Sequence, residues 1–224
     1  MRNAVSRRMA ELWPPGSRVV ELNCGTGVDA VWLQNHGVHV VATDAAAEMV
    51  AVARRSGVDA RQMRAESLVE LAVAGPFDGA LSNFGGLNCV TNLDAVVDGL
   101  AACVRPGGTV LLCVMGPVVP WEWMWYLAHG QPRKAFRRFA RFTVWRGMQI
   151  RYPSIRAMRR RLAPSFDVDR VWALGVLIPP SYAEPWARRH PRILSSLASA
   201  ERRIERWPGV AQLADHYVLE VTRR

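Results

Sequence analysis

The sequence predicts an α/β domain built on a doubly wound, mostly parallel sheet with an inserted helical cap. Three observations carry that reading. Short runs rich in β-branched residues alternate with stretches of helical spacing. Each such run is almost wholly apolar, as strands are when a parallel sheet is covered on both sides. The alternation breaks after Gly116, where a tract dense in Trp and Arg intervenes before it resumes.

The elements follow in order. Val5, Met9 and Leu12 share one face of a short helix that stops before Pro14-Pro15-Gly16. Residues 18–23 form the first strand and run into a Cys-Gly-Thr-Gly turn, after which Ala30, Val31, Leu33 and Gln34 carry a helix to Gly37. Residues 38–43 are a second strand, 46–56 a helix, 58–64 a weaker third strand and 77–82 a fourth. Thr91-Asn-Leu-Asp94 has the form of a capping box for the helix ending near Val104. Arg105-Pro-Gly-Gly108 stops that helix, and residues 109–114 are a fifth strand. Residues 117–163 read as the inserted cap of one domain spanning 1–224. Within the cap, Pro132 opens a helix that packs Ala135, Phe136, Phe139 and Ala140 inward and presents Arg133, Lys134, Arg137, Arg138 and Arg141 outward, and Ser154 opens a second basic helix. A sixth strand at 168–178, a long helix at about 182–206 and a final strand at 216–221 complete the chain.

Composition limits the function. At 224 residues and 50% hydrophobic the chain can bury a core, and no window approaches 18 uninterrupted apolar residues, which excludes a spanning helix. The first residues lack the apolar run of a signal peptide, so a cytoplasmic protein is expected, with peripheral membrane contact through its basic part. Cys24, Cys89, Cys103 and Cys113 are scattered and read as thiols rather than as a metal site. Charge is asymmetric: residues 1–112 carry a net of −2 within a total of +10, and 130–163 holds 11 basic residues and no acid.

The turn after the first strand is the chief functional signal. Glycines there let a ligand approach the backbone while helix N–H groups point at it. Gly25-Thr-Gly-Val-Asp-Ala30 also fits a dinucleotide fingerprint, so a nicotinamide cofactor enters the comparison. Asp44 ends the second strand, 17 residues past Gly27, where a carboxylate can take both ribose hydroxyls. Glu66 follows the third strand and can meet an adenine edge. Glu21 precedes the turn, where an acid suits an ammonium and a sulfonium better than a phosphate. Together these favour S-adenosylmethionine over a pyrophosphate cofactor.

With the stretches VVELNCGTG, VVATDAAAEMVAVAR, RAESL, FDGALSNFGGLN and VRPGGTVLL in order over roughly residues 15–116, the sequence resembles the class I S-adenosylmethionine-dependent methyltransferases that act on small molecules. The resemblance implies that Glu21, Cys24, Gly25 and Gly27 line the methionine and ribose and that Asp44 binds the ribose. It places Ala65 and Glu66 at the adenine with Met49 packed on it, and Asn83 and Phe84 flanking the site. Asn23, Thr26, Ala45 and Ser67 complete that set. Asn23 stands where the family has a glycine, and Asn tolerates left-handed backbone angles.

Methyl transfer needs an acceptor held in line, and a base only where the acceptor loses a proton. His216 is the candidate base, because the resemblance implies a Rossmann-like seven-stranded sheet whose last strand is antiparallel, and such a strand begins at the ligand-bearing edge. Asn88, Trp121, Trp125, Tyr152 and Tyr182 are the candidate acceptor contacts. SNFG at 82–85 lacks the prolines of the Asn-Pro-Pro-Tyr signature. The expected reaction is methylation of a small hydrophobic acceptor, with or without an acidic group, at oxygen before nitrogen or carbon, in secondary-metabolite, lipid or saccharide biosynthesis. The basic segment 130–163 reads as a clamp on an acidic acceptor, or as a contact to an anionic membrane or an acidic carrier protein. An RNA-modifying enzyme and a non-catalytic scaffold are the rivals, and nucleic acid is the weakest partner because no recognition domain is appended.

Overall fold

The computed structural model describes residues 1–145, 147–179 and 184–224. Seven strands form the main sheet: β1 (Arg18–Leu22), β2 (His39–Asp44), β3 (Asp59–Gln62), β4 (Phe77–Ser82), β5 (Val104–Met115), β8 (Phe166–Leu174) and β9 (His216–Arg223). Their order is β3-β2-β1-β4-β5-β9-β8, and β9 runs antiparallel to both neighbours. A separate two-stranded hairpin pairs β6 (Thr143–Trp145) with β7 (Met148–Ile150). The doubly wound sheet and its antiparallel last strand are therefore as the sequence predicts.

Alternation along the strands sorts side chains to two cores. Val20, Leu22, Val110, Leu112 and Val114 face one layer. There they meet α4 (Leu93–Cys103), through Val96 and Leu100, and α7 (Ile155–Leu162), through Met158 and Leu162. Val19, Leu111 and Cys113 face the other layer. It consists of α1 (Arg2–Leu12), α2 (Val28–Asn35) and α3 (Ala47–Arg55), which contribute Val5, Met9, Leu33, Val50 and Ala53. Burying a Leu- or Val-sized side chain contributes about 1.5–3 kcal/mol, so these two layers dominate the stability of the fold.

Local chemistry shifts several expected boundaries. Asn92, not Thr91, caps α4, accepting from the Ala95 N–H at 3.2 Å, and Thr91 turns instead to Glu66. The expected long C-terminal helix is two, α8 (Glu184–Arg189) and α9 (Pro191–Ile204). They break at His190 because the residue before a proline is driven out of helical angles, here to φ −126°. Between Met115 and β8 the chain forms α5 (Pro120–Ala128), α6 (Pro132–Ala135) and the β6–β7 hairpin. α7 lies outside that insertion in packing terms, since Met158 and Leu162 are buried in the sheet's own core. The expected amphipathic helix from Pro132 lasts one turn. Arg138 then points inward (7% exposed), whereas Phe136 and Phe139 are half-exposed beside Trp123. The anticipated face is thus inverted, and the cause lies in the site described next.

Candidate active site

A cleft forms where β1 passes into α2. Cys24 N–H donates to the Thr43 carbonyl and Gly27 N–H to the Cys24 carbonyl, both at 2.9 Å, which folds the turn back against β2. Asn23, Gly25 and Gly27 take φ of 54°, 55° and 79°. Asn23 therefore adopts the left-handed angle that its glycine-like position demands. Its side chain fits only because residue 86 is glycine: a Cβ there would lie 2.4 Å from Asn23 Cβ.

One wall of the cleft is acidic. Glu21 is 2% exposed and its Oε2 has no partner; burial, with Asp29 nearby, pushes its pKa well above the usual range against the opposing pull of Arg2. Asp29, in the first turn of α2, accepts from Asn83 Nδ2 at 2.9 Å and pairs with Arg2 at 2.5 Å. The Arg2 guanidinium also lies 4.7 Å over the Phe84 ring. The cleft of about 200 Å³ is lined by these residues together with Asn23, Cys24, Gly25 and Thr26. Burial pushes the Cys24 thiol up to about 12, so it stays protonated and serves as lining.

Asp44 closes the far end. Its Oδ2 accepts from Gly25 N–H at 2.8 Å and its Oδ1 from Ala46 N–H at 2.9 Å. Each oxygen keeps acceptor capacity for a ribose hydroxyl. Ala45 and Met49 are exposed at the start of α3, and Ala65, Glu66 and Ser67 open the 3-10 turn after β3. Partial burial raises the Glu66 pKa, but hydrogen bonds from its own N–H and from Thr91 outweigh it, and the carboxylate stays ionised below its usual range. Both Thr91 bonds fall on Oε1, leaving Oε2 for an adenine amino group.

These groups fit the methionine end of S-adenosylmethionine. An orphaned buried carboxylate oxygen and an aromatic face are what an ammonium and a sulfonium require, and the wall already holds one cation, that of Arg2. A pyrophosphate there would meet Glu21 and Asp29 and be repelled.

The Methyltransferase domain family matches residues 19–108, the segment that builds this cleft. The ubiquinone biosynthesis O-methyltransferase of Xanthomonas campestris pv. campestris is 33% identical over 110 residues, 45% of this chain and 44% of that one. The protein of the same name from Xylella fastidiosa is 36% identical over 103 residues, 43% and 41% of the two chains. The matches thus span less than half the length of these curated relatives. Among solved structures, the cyclopropane synthase MmaA2 from Mycobacterium tuberculosis superposes with a TM-score of 0.65 at 17% identity, over 99% of this chain and 83% of that one. An S-adenosylmethionine-dependent methyltransferase from Mesorhizobium loti gives 0.63 at 17% identity, over 99% and 96%. Residues 19–108 therefore carry a Methyltransferase domain, on the sheet topology described above.

Beside the cofactor cleft, Phe84 meets His216 edge-on, with ring centroids 5.6 Å apart. His216 opens β9, is 8% exposed, and holds Nδ1 3.1 Å from Asp215 Oδ2. Arg138 donates to Asp215 Oδ1 at 2.6 Å, to Glu122 Oε2 at 2.7 Å and to the Gly116 carbonyl at 3.0 Å. Burial works to raise the Asp215 pKa, but His216 and Arg138 outweigh it and hold the carboxyl at about 2. For Glu122 the balance is reversed: burial dominates over Arg138 and Arg137, and its pKa is raised.

The other expected acceptor contacts divide. Asn88 is fully buried and saturated, donating to the Met115 and Arg151 carbonyls and accepting from Met115 N–H, so it is a structural clamp and not a substrate contact. Asn83 likewise spends its amide on Asp29 and on the Phe84 N–H. Trp121 donates to the Leu177 carbonyl at 3.1 Å, tying α5 to the segment after β8. Trp125 stacks on His129 at 4.5 Å, away from the cleft lining. The Tyr152 hydroxyl sits 3.1 Å from Thr143 Oγ1, and its ring lies under Arg138 at 5.0 Å. Tyr182 lies outside the described residues. Arg2, Asp29, Glu122, Arg138 and Asp215 were not foreseen as site residues. Glu122 carried a signal, being the single acid between Asp98 and Asp167 in a stretch crowded with arginine.

Proposed function

We propose that this methyltransferase transfers a methyl group to a hydroxyl oxygen of a small hydrophobic acceptor, with His216 as the general base. The observation that carries the reading is the Asp215–His216 pair set edge-on to Phe84, the aromatic wall of the cofactor cleft. S-adenosylmethionine supplies an electrophilic methyl carbon on a sulfonium. Glu21 and Asp29 hold its cationic end, Asp44 its ribose, and Ala65 and Glu66 its adenine. The ionised Asp215 keeps a proton on His216 Nδ1, which presents Nε2 as the acceptor for the hydroxyl proton. Arg138 fixes Asp215, and Phe84 excludes water. A phenolic or similarly acidic hydroxyl is the class such a base serves, and the O-methyltransferase names of the partial relatives agree with oxygen as the methylated atom.

Support for a hydrophobic acceptor, used in biosynthesis at an anionic membrane surface, comes from the cap. Phe136, Phe139, Phe142, Val144 and Met148 are exposed there among basic residues. No helix among the described residues is long and apolar enough to cross a membrane.

The test is methyl transfer from labelled S-adenosylmethionine to a panel of alkyl-substituted phenols, catechols and anilines. An ether product is expected from the hydroxyl compounds. H216Q should lower kcat by about 10²–10⁴-fold and leave affinity for S-adenosylhomocysteine unchanged. Full activity in H216Q, or products methylated only at nitrogen, overturns the proposal.

A further inference from the structure

A second cavity, much larger than the cofactor cleft, lies against the edge strand β8. It measures about 1000 Å³ and is walled by α7, by β8 and by the segment at 206–212. Its surface is chiefly apolar: Pro117, Val118, Ile155, Val171, Trp207 and Tyr217 line it. None of these six is shared with the cofactor cleft.

The rim is cationic. Arg156, Arg159, Arg160, Arg170 and Arg206 line the cavity against one acid, Asp169, which is engaged by the Thr222 hydroxyl at 2.7 Å. Arg170 and Arg206 also face Glu11 and Glu205 across a neighbouring crevice, so part of their charge is balanced. The three arginines of α7 are not. Arg156, Arg159 and Arg160 are exposed, and among the described residues they make no ion pair or side-chain hydrogen bond. At i,i+3 and i,i+4 spacings their charges repel one another, so the helix gains nothing from them. The opposite face of α7 does its folding work through Met158 and Leu162.

An apolar hollow open to water with a guanidinium rim matches one ligand chemistry: an apolar chain for the walls and an anionic head for the arginines. We infer that this cavity binds a single molecule of an anionic amphiphile, with its chain against Val171, Trp207 and Tyr217 and its phosphate or carboxylate on Arg156, Arg159 and Arg160. The site is separate from the methyl-transfer centre and does not depend on the reaction proposed above. Trp207 is 61% exposed in the cavity wall and provides a local reporter.

The experiment uses dodecyl phosphate and a bromine-tagged dodecyl phosphate, both below their micelle concentration, with the full-length protein. One-to-one binding by calorimetry is expected, with quenching of tryptophan fluorescence by the brominated chain that W207F largely removes. The surface variant R159E/R160E should weaken binding at least tenfold while leaving S-adenosylhomocysteine affinity unchanged. Dodecanoate binding with the same arginine dependence also supports the site and shows that a carboxylate serves as head. Four results overturn it: dodecylphosphocholine binding as tightly as dodecyl phosphate; inorganic phosphate binding equally well; binding only to anionic vesicles and not to the monomer; or many molecules bound with no response to W207F and R159E/R160E.

Discussion

Replacing Arg138 by Met removes a cation from between two buried carboxylates, and the structure sets the size of the effect. Arg138 is 7% exposed, and its partners Glu122 and Asp215 have side chains 1% and 12% exposed. Removing one member of a buried ion pair costs roughly 3–5 kcal/mol, because the remaining charge is stranded. Glu122 can relieve part of this by taking up a proton, since its pKa is already raised. A loss near the lower end, about 3 kcal/mol, is therefore expected, or roughly a 1–3 M fall in the urea midpoint at a slope of 1–3 kcal/mol/M. Arg137 touches the same Glu122 at 2.7 Å but is 35% exposed, and R137M should cost about 0–1 kcal/mol. The pH dependence adds a second reading. Asp215 falls from an ordinary 3.8 to about 2 in the folded protein. A depressed carboxyl stabilises fully above its unfolded value, so a contribution on the order of 2 kcal/mol is present above pH 4 and is lost as pH falls toward 2. Glu122 acts with the opposite sign, its ionisation opposing folding as pH rises above its unfolded value, whereas Asp78, Asp167 and Glu66 are also lowered and add slopes of the same sign as Asp215. Urea titrations between pH 2 and 4 should show the summed slope in the wild type, and a smaller one in both R138M and D215N. Equal losses in R138M and R137M, or an unchanged slope in D215N, would refute a buried cluster.

D44A should lower affinity for S-adenosylhomocysteine by roughly 10–100-fold, the worth of about 1.5–3 kcal/mol for a hydrogen bond to a charged group. Thermal shift or calorimetry reads this, and NAD should shift neither protein. G86A should weaken the same affinity at least tenfold by pushing Asn23 aside. N23G should restore much of it in the double variant, and an additive double mutant would break the link between the two positions. In urea unfolding, N92A should cost about 1 kcal/mol of stability, because Asn92 caps α4.

The sheet was legible because its strands and the helices between them follow one hydrophobic alternation, which the fold preserves residue for residue from Val19 to Val114. The cofactor cleft was legible for a related reason: Glu21, the glycine turn and Asp44 lie on consecutive strand ends, so sequence order is nearly spatial order. The acceptor side was not. Glu122, Arg138 and Asp215 are separated by 16 and 77 residues, and a pattern within one helix cannot reveal a partner that distant. Helical spacing from Pro132 assigns Arg138 to water and Phe136 and Phe139 to the interior, the reverse of what the structure shows. Satisfying two buried carboxylates outweighs continuing a short helix whose propensity is worth a few tenths of a kcal/mol per residue.

That inversion bears on what the inserted segment does. Arg138 reaches Gly116 and Asp215 from a turn that belongs to the cap, and α5 supplies Glu122 to the same guanidinium. Attachment of the cap and orientation of His216 therefore share one group. A cap displaced enough to withdraw Arg138 leaves Asp215 with His216 alone, and the carboxylate loses the contact that fixes its second oxygen. Under the proposed function, His216 would be held in position only while the cap is seated, which would make acceptor enclosure and proton acceptance linked properties of the same ion cluster. The outward arginines Arg133 and Arg141 remain free of that duty, and they, with the exposed phenylalanines beside them, are the part of the cap available to a surface outside the protein.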